Sequence, residues 1–398
     1  MLDAGAAAEL VLARTPLLGE EAVPVGATRR RVLAADLTVP YDLPRFPASA
    51  VDGYAVRAAD AGRRLRIAGE SAAGRPFSGK VAAGAACRIL TGAVLPAGAD
   101  TVVMVEDVEQ GPDWVVVPEG LRPDRNVHRP GADARAGELA VPAGTELGPA
   151  EIGLIATIGT ASVRVRRRPR VAVLSTGDEL VELGSEPGPG QIFDSNRWAL
   201  QAALEEAGAD VDLLGVAPDD ARGLRQLITD ALTEHDVLVT SGGVSVGTHD
   251  LVKPLLAELG EVMIGRVRLK PGKPFTFATL PESRLAFGLP GFPVSSLVTF
   301  EVFVRPALRK MQGHQRLQRP TLPVRLAYDA KAAPDRTEYQ RVTLERDGGE
   351  LVAQTTGSQS SSRLRSLTGA QALVRVPPGT NGLPAGTIVE GIILELPG

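Results

Sequence analysis

Between Val171 and about Lys310 the sequence alternates apolar runs of strand length with amphipathic stripes of helical period, and this alternation restricts the fold more than any other feature. "RVAVLS", "VDLLGVA" and "DVLVT" are the apolar runs. Leu200, Ala203, Leu204 and Ala207 share one helix face, with Gly208 as a stop, and Leu224, Leu227, Ile228 and Ala231 share another. Such alternation predicts a mostly parallel sheet wrapped by helices. On either side the texture changes. The first 16 residues read as a short amphipathic helix ended by Pro16, and residues from about Arg45 to Gly137 carry short β-branched runs broken by glycine and proline. "GPAEIGLIATIG" reads as a further helix, and the segment after "HQRLQRP" returns to strand-like runs, a small β-barrel or sandwich. A chain of 398 residues exceeds one core and predicts two to four units.

Charge and cysteine content narrow the class. A net charge of -4 with no clustered basic and aromatic residues gives no field for nucleic acid. The cluster "SVRVRRRPR" is either an anion site or, as charge runs usually are, a solvated strand edge or linker. One cysteine, Cys87, supports neither a disulfide framework nor a thiolate zinc site, so a reducing compartment, the cytoplasm, is expected. The opening residues lack the form of a signal peptide, and no apolar run reaches about 18 residues, so no membrane span is expected.

In an open α/β sheet the ligand site lies beyond the carboxyl ends of the strands. Three segments occupy that position: "STGDEL", "TSGGVSVGTHD" and "GLPGFPVSS". In the second, Gly242, Gly243 and Gly247 allow close approach of the backbone to an anion, or simply make a turn; it is neither a Walker loop nor GxGxxG. Asp250 is a magnesium ligand beside a phosphate, or the cap of the helix that follows. Asp178 and Glu179 offer the same two readings at another strand end, and Asp194 with Ser195 reads first as a cap. Lys270 and Lys273 flank a Pro-Gly turn and suit an oxyanion, while Ser295 and Ser296 fall in the first turn of a helix, where they bind an anion or cap. Asp52 precedes a Gly-Tyr turn, and His128, Arg129 and Asp133 sit in a polar loop. The residues alone point to a magnesium-assisted site for a phosphorylated, anionic small molecule.

Taken together, "SAVDGYAV", "TGAVLPAGADTVV", "STGDEL", "IFDSN", "TSGGVSVGTHDLVK", "KPGKPF", "GLPGFPVSS" and "TTGSQSSS" resemble the molybdopterin molybdenumtransferases, the MoeA group, to which the E domain of gephyrin is related. The resemblance implies an elongated multidomain chain of α/β plus β class. Its parts would be a discontinuous helical and linker domain (1–45 and 138–168), a β-rich domain (46–137), a doubly wound, mostly parallel α/β domain (169–314) and a C-terminal β-barrel (315–398). It also implies a homodimer with a shared site, and transient contact with other proteins of molybdenum cofactor synthesis. Such proteins bind adenylylated molybdopterin, hydrolyse the adenylate with Mg2+, insert molybdate and release AMP. On this resemblance Asp52, Glu179 and Asp250 are the catalytic carboxylates, with Asp250, Glu179 and Asp178 as metal ligands. Thr91, Ser241, Gly242, Gly243, Ser245, Gly247, Asp194 and Ser195 would bind the pterin substrate. Lys270, Lys273, Ser295, Arg341 and Ser361 would hold molybdate. Three positions depart from the family pattern: Phe292 stands where asparagine is usual, Ala48 likewise, and His128 stands where arginine is expected. Two rivals are a sibling adenylyltransferase, built of little more than the α/β domain, and a gephyrin-like scaffold.

Overall fold

The computed structural model describes residues 1–217, 220–243 and 251–397. At its centre is a six-stranded sheet in the order Asp210–Ala217, Arg170–Thr176, Val237–Ser241, Arg284–Leu289, Thr276–Leu280, Glu261–Ile264. Only Thr276–Leu280 runs against the others. Alternation along each strand sends side chains to two separate cores, which is why the runs are apolar throughout. Val171, Val173, Val237, Val239 and Phe287 face Leu200 and Leu204 of helix Asn196–Glu206, together with Val294 and Val298 of helix Pro293–Thr299. Ala172, Leu174, Leu238 and Ala286 face Leu224 and Ile228 of helix Ala221–Glu234 and Leu255 of helix Val252–Leu259. The expected doubly wound domain is present. The chain leaves Arg170–Thr176 toward one edge and returns on its other side at Val237–Ser241, so the topological switch point lies between Thr176 and Ser241.

The C-terminal strands close on themselves. Thr337–Asp347 pairs with both Glu350–Thr355 and Ala372–Val376, and the ring is completed through Thr321–Leu326 and Ile388–Ile393. This is a five-stranded barrel around Val324, Leu326, Val342 and Val374. Strand Val267–Lys270 leaves the α/β domain and lies parallel to the start of Thr337–Asp347, with Lys270 opposite Glu338. Its other neighbour is the two-residue strand Leu2–Asp3.

The N-terminal helix Ala4–Arg14 buries Ala4, Ala7 and Val11 in the same core as Phe300, Phe303 and Met311. It therefore packs against the α/β body, although the sequence reading groups residues 1–45 with the helical and linker unit. Its stripe of small side chains fits closely against that body, and Asp3 caps it through the Ala6 amide at 2.9 Å. The rest of the linker unit combines strands Glu20–Pro24 and Ser162–Arg166 with helix Pro149–Thr157 around Leu33, Leu147, Ile155 and Val165. Beyond it, six strands between Gly53 and Val116 form the β-rich sheet. This whole arm leaves and rejoins the α/β body at one place, where the Arg167 amide donates to the Gly19 carbonyl at 3.0 Å. The arginine cluster lies at that junction in ion pairs: Arg164 pairs with Glu20, Arg167 with Asp236, Arg168 with Asp210 and Arg170 with Glu234. Arg166 shares Glu20 with Arg164, so the five arginines face four acids along this solvated strand edge.

Candidate active site

A cleft of about 1130 Å³ opens at the switch point, between the strand-end loops of the α/β domain and the serine-rich loop of the barrel. That volume exceeds the usual range for small-molecule pockets, about 300–1,000 Å³. It has room for a nucleotide-sized conjugate. Asp178, Glu179, Asp194, Ser195, Ser241, Gly242, Gly243, Lys270, Lys273, Ser295 and Ser361 all line it. Asp250, Ser245 and Gly247 lie outside the described residues.

Three loops form the floor, and their glycines serve the contacts between loops. Gly242 has φ +88°, and a Cβ there would come within 2.4 Å of the Thr176 carbonyl oxygen. Gly243 has φ +65°, and its Cβ would meet Thr176 Oγ1 and Val252 Cγ2, each at 2.7 Å. The bend is thus glycine because two strand ends touch there, whatever it binds. Asn196, at the first position of its helix, ties the floor together: Nδ2 donates to Ser241 Oγ at 2.8 Å and to the Gly291 carbonyl at 2.6 Å.

Asp194 lines the cleft but does not offer its carboxylate to it. The residue is buried; Oδ1 accepts from the Arg197 amide at 3.2 Å and Oδ2 lies 3.3 Å from Arg197 Nε. Its place among the substrate-binding residues is therefore corrected to a helix cap and internal ion pair. Asp178 and Glu179, in contrast, are exposed at the cleft wall. Among the described residues no group of three or more His, Cys, Asp or Glu is arranged to enclose a metal ion.

The cations come from the strand that pairs with the barrel and from the barrel itself. The Lys270 side chain is 46% exposed and its ammonium lies 3.2 Å from Glu338 Oε2, whose side chain is only 2% exposed. Arg336 joins the lining and is held in a double hydrogen bond by Asp335, at 2.7 Å on each nitrogen. The serine loop completes this part of the lining: Ser360, Ser361 and Ser362 line the cleft, and the Ser361 carbonyl accepts from the Val294 amide at 3.2 Å, docking the barrel on the Pro293 helix.

Arg341 is not in the cleft. It is fully buried, on the strand face opposite the barrel core of Val342 and Leu344; Nε donates to Ser366 Oγ at 3.2 Å, and Nη2 to the carbonyls of Ser358 and Ser360 at 3.4 and 3.3 Å. Its assignment as a direct molybdate ligand is corrected: the guanidinium braces the serine loop from behind. Burial pulls its pKa below the usual value. Asp52 and Thr91 belong to the β-rich domain and do not line the cleft of their own chain. Asp52 Oδ1 accepts from the Thr91 amide at 2.6 Å and from Thr91 Oγ1 at 2.8 Å, and these bonds hold the exposed carboxyl below its ordinary pKa.

Sequence reasoning passed over Asn196, Arg336, Glu338, Ser360 and Ser362. Asn196 stands inside "IFDSN", where a helix-start position offers a ready alternative explanation. Arg336 and Glu338 belong to a barrel edge and strand, and only the three-dimensional pairing of Lys270 with Glu338 brings them to the site.

Comparison with known proteins agrees with this architecture. The chain matches the MoeA N-terminal region (domain I and II) over residues 2–159, the probable molybdopterin binding domain over 172–310 and the MoeA C-terminal region (domain IV) over 323–394. It is 36% identical to a molybdopterin molybdenumtransferase of Haemophilus influenzae, with 90% of each chain covered. It is 38% identical to that of Nostoc, covering 95% of this chain and 89% of the relative. Gephyrin of Dictyostelium discoideum is 35% identical over 94% of this chain, which spans 59% of that protein. A molybdopterin biosynthesis MoeA protein structure from Pyrococcus horikoshii superimposes with a TM-score of 0.84 at 35% identity, covering 99% of both chains.

Proposed function

Because the chain belongs to the MoeA family and works in molybdenum cofactor biosynthesis as a molybdopterin molybdenumtransferase, we propose that the switch-point cleft binds adenylylated molybdopterin and molybdate, hydrolyses the adenylate and releases AMP. The observation that carries this reading is the division of one cleft into two chemistries. Glycine-bend backbone and exposed carboxylates come from the strand-end loops of the α/β domain, and lysines, an arginine and serine hydroxyls from the 270–274 segment, the Pro293 helix and the barrel.

On this reading Ser241, Gly242 and Gly243 receive the phosphate side of the pterin ligand. Lys270, Lys273, Ser295, Ser361 and Arg336 receive molybdate, a dianion that suits ammonium, guanidinium and hydroxyl donors. Magnesium fits the exposed carboxylates, because Asp178 and Glu179 present hard oxygens and Mg2+ takes one or two carboxylates with phosphate and water. When bound it neutralises phosphate charge and polarises a water. Asp250 is assigned with Glu179 to the same task. Asp52 acts across a homodimer, where the β-rich domain of one copy closes the cleft of the other; its hydrogen bonds to Thr91 favour an ionised carboxylate. We place the enzyme in the cytoplasm. No described helix is long and apolar enough to cross a membrane, and Cys87 is a buried thiol with its pKa pushed up to about 11 by burial.

The test is AMP release by purified protein given adenylylated molybdopterin, molybdate and magnesium, followed with molybdenum incorporation. AMP and loaded cofactor in equal amounts are expected. Synthesis of adenylylated pterin from ATP would assign it to the sibling reaction, and no AMP release at all would make it a scaffold.

A further inference from the structure

The cationic wall of the cleft is compensated by carboxylates of its own, and stability does not explain them. Glu338 lies under Lys270 in register, 2% exposed, with its Oε2 accepting no hydrogen bond among the described residues and the ammonium 3.2 Å away. Its Oε1 takes one bond, from Gln340 Nε2 at 3.2 Å. A buried carboxylate carries a desolvation penalty that a packed apolar residue avoids, and the two strands are already joined by their ladder. Asp335 repeats the arrangement at the surface, gripping Arg336 through both oxygens. The Arg336 bonds and, further down in size, the field of Lys273 keep the Asp335 carboxyl below its ordinary pKa. Arg341, on the other face of the same strand, is committed to the serine-loop carbonyls.

We infer that Glu338 and Asp335 are internal counter-ions that compete with the bound oxyanion for Lys270 and Arg336, so that the wall holds molybdate in exchangeable form instead of trapping it. The inference rests on the reading of this wall as the molybdate site. An anion entering the cleft draws the Lys270 ammonium away from Glu338, and when the anion leaves as part of the product the carboxylate takes the ammonium back. Both residues are positioning residues, since they act through the cations.

Isothermal titration of the full-length protein with sodium molybdate tests it. Glu338→Gln keeps shape and removes the competing charge, so the molybdate Kd is expected to fall by about fivefold or more, with kcat lowered in the AMP-release assay. Asp335→Asn, exposed and screened, is expected to tighten binding by about twofold to threefold. Glu338→Asp restores the carboxylate and brings Kd back toward wild type. Structural damage would not tighten binding, so an unchanged or weaker Kd in Glu338→Gln with an unchanged melting temperature overturns the inference. Should Glu338→Gln fail to fold, unchanged affinity in Asp335→Asn overturns it. Wild-type protein that binds no molybdate would instead overturn the assignment of the cleft, and the inference with it.

Discussion

Asn196 Nδ2 donates to the Gly291 carbonyl across 2.6 Å, joining the start of one helix to the corner that begins another on the far side of the switch point. The same amide reaches Ser241, so one side chain fixes three loops. Asn196→Ala leaves the Gly291 carbonyl without that donor, a loss of about 1–3 kcal/mol. Urea unfolding should show it, and kcat/KM for AMP release should fall at least about tenfold through misplacement of the floor.

Arg341 predicts a different pattern from a molybdate ligand. Arg341→Met removes the donors to the Ser358 and Ser360 carbonyls behind the serine loop. A stability loss of about 2–4 kcal/mol is expected, and hydrogen exchange should show residues 358–362 losing protection. Arg341→Lys should not restore either property, because an ammonium cannot span Ser366 and two carbonyls in one plane.

Two neighbouring glycines should respond oppositely to alanine. Gly242→Ala forces a Cβ within 2.4 Å of the Thr176 carbonyl at φ +88°, which should cost more than about 2 kcal/mol and disturb the floor. Gly291→Ala places its Cβ 3.8 Å from the Gly242 Cα, an ordinary contact. It should unfold within about 1 kcal/mol of wild type in the same urea series.

Acid stability should depend on His314. Burial, followed by the positive charge of Arg309, pushes its pKa down to about 4 against the opposing pull of Glu146; Nδ1 lies 2.9 Å from Glu146 Oε2 and 3.1 Å from Arg309 Nη2. The folded state then resists a proton that the unfolded chain accepts near pH 6.5, so the unfolded state binds more protons between those values. Stability should fall as pH drops from 6.5 toward 4, by an amount on the order of a few kcal/mol. Melting curves of His314→Gln should be flatter across that window; an identical slope would assign the effect to other groups.

Much of the fold was legible because burial on both faces leaves a distinctive mark. The runs around Val171 and Val237 had to be sheet interior, and the loops after them lie at the carboxyl edge of the sheet. The N-terminal helix was visible as a helix, but its destination was not, because Ala4, Ala7 and Val11 would fit any close-packed partner. At the site, residues displayed on strand-end loops were readable: Asp178, Glu179, Ser241 and Lys270 all reach the cleft. Arg341 misled because a motif assigns a residue without its direction, and the guanidinium is held behind the serine loop by Ser366 and the Ser358 and Ser360 carbonyls. Glu338 escaped notice because its importance comes only from pairing with Lys270, 68 positions earlier, across two domains.

The chain crosses between body and arm only at Gly19 and Arg167, and Glu146 adds a second tie, to Arg309 and His314 of the body. The described lining of the cleft all comes from residues after Arg167, so the arm contributes none of it within its own chain. The arm thereby carries Asp52 and Thr91 away from the cleft of its own chain, so on the proposed reading binding and turnover would reside in different parts of the fold.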